Sequence, residues 1–379
     1  MTHDLLTMLR RRSLLSAGAA VPVIAGAGRA VAVPSSSDRA VAPGLRLARV
    51  GGAVLGARVR VRGPLTERMR TTPFRMVAVT WRGATPEVEV RVRDLRGGWT
   101  PWRRLAPLGD GPDPGSGEGG AVRGTELLWV GRADGVQVRS DGGSDDLSLV
   151  LVDPGRLPGD ATVEEQTAAR TTARYEATSL RPPLLNRSEW GANPKWRSGT
   201  PRIDDTIRMA HVHHTATANG YTRAEVPGIL RGMYYYHTQS LGWSEIGYNF
   251  LIDRFGRIWV GRAGGSQNPV RGAHTLGFNQ NSVGVAVIGN YVSTNPSDPA
   301  VGAVVRLTAW KLAMYGRNPT GKISMTSQGS DRYPAGQRVY LPVIDGHRDT
   351  NDTACPGARL YSRLPDIRTR AKRRIDYYS

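Results

Sequence analysis

Alternation of apolar and polar positions dominates the first half of the chain, from about residue 45 to residue 152. Val88, Val90 and Val92 alternate with Glu89, Arg91 and Arg93, the period-two signature of a strand with one face buried. Residues 74–81, 125–130, 135–139 and 147–152 continue the series of predicted strands. Turns rich in Gly, Pro and Asp separate them, including Gly-Asp-Gly-Pro-Asp-Pro-Gly at 109–115. Short strands at this spacing predict an antiparallel, all-β sandwich-like domain over 45–152. Trp99 and Trp102 read as core or rim packing, with a sugar-stacking platform as the other reading. No catalytic constellation is visible in this half.

Residues 153–183 break the pattern. Asp153-Pro-Gly, Pro158-Gly159, a polar Ala/Thr/Glu run and Arg181-Pro-Pro mark a linker. Beyond it, over 184–379, strands alternate with helices and predict an α/β half. Ile207, Met209 and Val212 lead into a strand ending at His213. Thr222-Arg-Ala-Glu225 is a capping box that opens a helix with Val226, Ile229, Leu230, Met233 and His237 along one face. On that apolar face His237 reads as a packed core histidine. Residues 248–252 and 257–260 flank Asp253-Arg-Phe-Gly256 as a hairpin. The near-continuous apolar run 282–288 predicts a central strand buried on both faces. Asp298 is the expected N-cap, and Pro299 the first-turn proline, of a helix through Tyr315 closed by Gly316. Ile367, Ala371 and Ile375 mark a final amphipathic helix with a basic, solvated outer face.

Composition adds compartment and partner. The formal charge of +19 comes from arginines spread along the chain and points to a polyanionic partner: nucleic acid, anionic lipid or an anionic cell wall. No basic patch interleaved with base-stacking aromatics stands out, which argues against nucleic acid. Residues 1–32 read as an export signal. Arg10-Arg11-Arg12-Ser13-Leu14-Leu15 has the paired arginines of a twin-arginine signal, with a general secretory signal as the rival reading. The weakly apolar run 16–28 is too short to span a membrane. Ala30-Val-Ala32 or Ala25-Gly-Ala27 offers a cleavage site. The expectation is a protein secreted or associated with the cell wall, without a transmembrane anchor.

A lone cysteine in an exported chain calls for an explanation as a partner-bonding, reactive or metal-bound thiol. Cys355 lies in polar turn chemistry, between Asp352-Thr353 and Pro356-Gly357, eight positions after His347. A soft thiolate with imidazoles suits zinc, and three protein ligands leave the open position of a catalytic site. His213, His347 and Cys355 can supply that set, with His211 as the substitute for His213 if the strand register shifts by two.

Read together, several segments resemble the family of peptidoglycan recognition proteins and T7-lysozyme-type zinc N-acetylmuramoyl-L-alanine amidases. They are Arg187-Ser-Glu-Trp-Gly-Ala192, Val212-His-His-Thr215, Gly242-Trp-Ser-Glu-Ile-Gly-Tyr-Asn-Phe250, Gly261-Arg262, Gly272-Ala-His-Thr275, Asn281-Ser-Val-Gly-Val285, Gly346-His-Arg-Asp349 and Cys355-Pro-Gly357. They occur in family order over about residues 184–375. The resemblance implies a central mixed β-sheet flanked by helices, Zn2+ held by His213, His347 and Cys355, and peptidoglycan, glycan strand and stem peptide together, as partner. It implies hydrolysis of the amide between N-acetylmuramic acid and L-alanine, with Tyr248 and Thr353 assisting catalysis. Recognition members that bind without cutting typically have serine at the cysteine position, so Cys355 favours an enzyme over a non-catalytic recognition module. Cytoplasmic recycling relatives carry a glutamate where this chain has Ala286. His214 and His274 are expected along the groove rather than as ligands, and Glu245 in a structural hydrogen bond. The N-terminal half lies outside the matching segments and looks like the accessory domain of actinobacterial amidases.

Overall fold

Two β-sheets face opposite sides of one helix. The computed structural model describes residues 44–141, 146–161 and 179–379; the signal at 1–32 and most of the linker at 153–183 lie outside them. The N-terminal strands are β1 (Ala48–Gly51), β2 (Val54–Arg60), β3 (Met69–Trp81), β4 (Val88–Asp94), β5 (Arg103–Leu105), β6 (Arg123–Gly124), β7 (Leu128–Ser140) and β8 (Ser148–Asp153). They pair antiparallel in the order β1-β2-β8-β3-β7-β4-β5, with β6 on β3. β4 keeps the expected alternation, with its valines buried, Glu89, Arg91 and Arg93 half-buried and Asp94 exposed.

The central strands β3 and β8 are buried on both faces. Val77, Val79, Leu149 and Leu151 pack within the N-terminal half, against Val90, Val136 and Val138. The alternate residues Met76, Ala78, Val150 and Val152 join a second core with Ile229, Leu230, Met233 and Tyr236 from the other half. Burying such side chains contributes about 1.5–3 kcal/mol each. The described residues accordingly form one compact unit.

The C-terminal half holds β9 (Met209–His214), α1 (Val226–Tyr235), β10 (Phe250–Ile252), β11 (Ile258–Val260), β12 (Ser282–Val287), α2 (Asp298–Ala313), the hairpin β13/β14 (Lys322–Thr326, Arg338–Pro342), β15 (Ile344–Gly346), the one-turn helix α3 (Ala358–Tyr361) and α4 (Leu364–Tyr378). Its five-stranded mixed sheet runs β11-β10-β12-β9-β15, parallel except for the β10/β11 hairpin. β12 is central, as its apolar run predicts. Val283, Val285 and Val287 face α2 and α4 through Val304, Leu307, Ile367 and Ala371, whereas Ala286 and Ile288 face the α1 side. The structure is thus a mixed α/β chain with an all-β N-terminal part.

Local signals decide the helix ends. The Glu225 carboxylate accepts hydrogen bonds from the Thr222 N–H (2.9 Å) and hydroxyl (3.0 Å), the closed capping box before α1. α1 continues into a wider π turn over Tyr236–Ser240. The N-cap of α2 is Ser297, not Asp298: its Oγ accepts from the Ala300 N–H at 3.3 Å, which moves Asp298 and Pro299 into the first turn. Gly316, at φ 62°, ends the following turn.

Candidate metal centre

Period-two geometry puts His211 and His213 on the α1 side of β9, opposite Ala210 and Val212, which sit in the α2/α4 core. His213 lies near the carboxyl end of β9, and His347 opens the turn just after the parallel strand β15. Carboxyl ends of parallel strands are where open α/β sheets gather ligands. Cys355 returns to this edge in a turn shaped by its neighbours: its N–H donates to Thr353 Oγ1 at 3.2 Å, and its carbonyl accepts from the Arg348 N–H at 3.0 Å. Gly357 makes that turn possible. Its φ is 86°, and a Cβ there would stand 2.3 Å from the Tyr291 backbone.

The structure brings His213, His347 and Cys355 together, with ligand atoms all within 4.8 Å of one another and all three residues buried. Cys355 Sγ is 3.7 Å from His213 Nδ1 and accepts from the His214 N–H at 3.3 Å. The opposite nitrogen of His213, Nε2, shares a hydrogen bond with Thr275 Oγ1 at 3.2 Å, the kind of outer contact that fixes a ligand imidazole's orientation. Among the described residues neither His347 nitrogen has a hydrogen-bond partner, although both are buried. Burial pushes the Cys355 thiol well above its usual range and drives the imidazoles down, His347 to about 3 and His213 well below its ordinary value. The neutral imidazole is the ligand form, and a divalent cation would restore the thiolate. Orphaned nitrogens, a soft sulfur and this spacing fit zinc.

Tyr248 stands beside the cluster, its ring centroid 5.5 Å from that of His213 and 3% of its surface exposed. Asn249 fixes this segment by accepting from the Gly284 N–H at 2.8 Å and donating to the Val270 carbonyl at 2.7 Å. Thr353 lies on the cluster's rim, its oxygen bound to the Cys355 N–H and its hydroxyl hydrogen left to donate. His211 is elsewhere, paired to Asp345 at 2.7 Å in a fully buried contact. His214 and His274, expected along the groove, are both buried. His214 Nδ1 accepts from the Tyr291 N–H at 3.2 Å, and the His274 ring lies on β12, where a Cβ at Gly284 would meet it at 2.2 Å. His237 packs on Trp243, ring centroids 4.5 Å apart, and accepts from the Gly247 N–H. Glu245 pairs with Arg187 at 3.2 Å.

Sequence reasoning missed Asp110. The N-terminal half, in which no catalytic constellation was visible, sends the 109–115 turn between β5 and β6 into this site. Asp110 Oδ1 lies 3.4 Å from His213 Nδ1 and 3.3 Å from His347 Nδ1, and Oδ2 accepts from the Tyr248 hydroxyl. Burial raises its carboxyl to about 6 against the opposing pull of His347 and Tyr248. The Gly/Pro/Asp run carries the one available signal, an acidic residue in a turn, and that signal is shared with any solvated loop.

Residues 203–358 match the N-acetylmuramoyl-L-alanine amidase family, and residues 30–173 match the Rv3811 N-terminal galactose-binding domain-like family. The chain is 32% identical over 183 residues to peptidoglycan-recognition protein SC2 of Drosophila melanogaster, covering 48% of this chain and 84% of that protein. It is 33% identical over 204 residues to the N-acetylmuramoyl-L-alanine amidase of Homo sapiens, covering 52% of this chain and 31% of that protein. Among solved structures, the wild-type Drosophila PGRP-LB is similar at 28% identity, over 48% of this chain and 92% of that one, with a TM-score of 0.38.

Proposed function

Because the chain belongs to the family of peptidoglycan-recognition proteins and N-acetylmuramoyl-L-alanine amidases, we propose that it is an exported, zinc-dependent amidase. In this reading it hydrolyses the amide between N-acetylmuramic acid and the L-alanine of the stem peptide. The observation that carries it is the convergence of His213, His347 and Cys355, buried and within 4.8 Å, beside the hydroxyl of Tyr248. His213, His347 and Cys355 would hold the zinc, which when bound supplies a Lewis acid to polarise an amide carbonyl.

The chain's own groups divide the remaining work. The Tyr248 hydroxyl, kept protonated by burial and carried on the segment that Asn249 anchors to Gly284, serves as hydrogen-bond donor to the oxyanion that develops from the amide carbonyl. Thr353 offers a second hydroxyl donor at the rim. The buried walls of Trp243, Tyr248 and His237 keep water from competing for these donors. A recognition module would need neither an anionic sulfur ligand nor an aligned tyrosine donor.

The net charge of +19 favours an anionic wall as substrate surface. The paired arginines at 10–12 support delivery by a twin-arginine signal to the outside of the cell or its wall. No helix among the described residues is long and apolar enough to cross a membrane.

The test is mass analysis of fragments released from purified peptidoglycan by the zinc-loaded full chain. Free stem peptides ending in the L-alanine amine are expected. Wall binding without release of such peptides by either the wild type or Asp110→Ala, with zinc bound, would leave the recognition reading in place of the enzyme.

A further inference from the structure

A carboxylate from the other half of the chain stands against two of the three cluster residues. Donor atoms at about 2.0–2.3 Å from one tetrahedral zinc stand roughly 3.3–3.7 Å apart. Asp110 Oδ1 is 3.4 Å from His213 Nδ1 and 3.3 Å from His347 Nδ1, and Cys355 Sγ is 3.7 Å from His213 Nδ1. The Asp110 side chain is 6% exposed, and among the described residues its Oδ1 has no hydrogen-bond partner. Two neutral imidazoles, a thiolate and a carboxylate together cancel the charge of a divalent cation in a buried pocket.

The surrounding loop closes the same face. A Cβ at Gly109 would stand 3.4 Å from Thr353 and 3.5 Å from His347, so the backbone there rests on the cluster's rim. Asp113 Oδ1 accepts from the Gly277 N–H at 2.9 Å and from Asn279 Nδ2 at 2.8 Å, and Asn279 Nδ2 also donates to the Gly111 carbonyl at 2.9 Å. Glu118 pairs with the buried Arg262, and Gly119 abuts Trp243. A cavity of about 180 Å³ remains between Ser116, Glu118, Arg197, Ser244 and Arg262, and neither Asp110 nor His213, His347 or Cys355 lines it.

We infer that Asp110 is a fourth ligand of the metal, and that residues 109–119 form a built-in closure that holds the enzyme latent until the loop withdraws. This rests on reading His213, His347 and Cys355 as the metal site. Closed four-ligand zinc sites are structural, whereas catalytic ones keep one position open. With Asp110 in place the position needed by the substrate is taken, and the Tyr248 hydroxyl is engaged by the same carboxylate. Withdrawal of one loop frees both.

The experiment uses the purified full chain loaded with Co(II), whose visible absorption reports its ligands, and azide as an exogenous ligand. The wild-type spectrum should resist azide at concentrations that shift the spectra of Asp110→Ala and the shape-conserving Asp110→Asn. Asp113→Ala, which loosens the loop and keeps the carboxylate, should shift part of the way. Zinc affinity of Asp110→Ala, from chelator competition, should fall by about tenfold or more, at least the loss seen when an outer partner of a metal ligand is removed. Its turnover of soluble muropeptide should rise. Azide acting equally on wild type and Asp110→Ala, or turnover that falls in Asp110→Ala with an unchanged cobalt spectrum, overturns the closure and leaves the three-ligand site standing. A wild type that takes up neither cobalt nor zinc overturns both.

Discussion

The Tyr248 hydroxyl donates its hydrogen bond to Asp110 Oδ2, a residue 138 positions away in sequence, while the other oxygen of that carboxylate faces His213 and His347. One side chain from the all-β half therefore touches the oxyanion donor and two of the three proposed metal ligands. The contact is possible because the eight-stranded sheet is seated on α1, with Met76, Ala78, Val150 and Val152 packed against Ile229, Leu230 and Met233.

Replacing any one of His213, His347 and Cys355 by Ala should remove the bound zinc from the purified protein. Metal analysis reads the outcome directly. Full occupancy in all three variants would show that the metal lies elsewhere.

Tyr248→Phe keeps the ring and deletes one hydroxyl. Measured in the Asp110→Ala background, where the loop contact is already gone, it should lower kcat by about 100-fold, the loss from one oxyanion donor. KM should hold, because the interaction is made chiefly in the transition state. A change confined to KM would place the hydroxyl in substrate binding instead.

How much of this was legible in the sequence depends on how local each signal is. The alternation of Val88, Val90 and Val92, the apolar run of β12, the β10/β11 hairpin and the Thr222/Glu225 capping box all act over a few residues, and each appears where the pattern puts it. The hairpin β13/β14 carries only the weak alternation of Ile323 and Met325 against Val339 and Leu341, and is not among the expected elements. In β8 the near-continuous run Leu-Val-Leu-Val at 149–152 already has the composition of a strand buried twice; what covers the second face is set by packing, and no local pattern carries it. His213, His347 and Cys355 stand out because imidazole and thiol are rare residue types here. Asp110 is one carboxylate among many, and its place is fixed by residues more than a hundred positions away.

The segment after β8 is tied to α1 by a buried ion pair, and breaking it should be costly. Arg231 donates to Asp160 at 2.7 and 2.8 Å and to the Trp190 and Gly155 carbonyls at 3.0 and 3.2 Å, with the two side chains 2% and 6% exposed. Arg231→Met leaves that carboxylate without its charge partner, with only the Leu157 N–H at 2.9 Å to bond it, and should cost about 3–5 kcal/mol. A urea midpoint that stays at the wild-type value would show that the pair is dispensable.

Gly124 in β6 offers a test of the contact between the two halves. A Cβ there would stand 2.2 Å from the Tyr236 hydroxyl oxygen, which donates to the Thr125 carbonyl at 2.7 Å. The ring is buried and its hydroxyl is bonded, so Gly124→Ala should destabilise the chain by about 1–3 kcal/mol through overpacking. Thermal unfolding checks it, and an unchanged midpoint would contradict the packing described here.

The central claim is that this buried cluster cuts the lactyl-amide bond of peptidoglycan once it is reached. The most direct measurement is mass spectrometry of a purified muropeptide incubated with zinc-loaded full chain, wild type beside Asp110→Ala. The account predicts free stem peptide with an intact sugar from both, released faster by Asp110→Ala. No free stem peptide from either protein, with zinc bound in both, would contradict it.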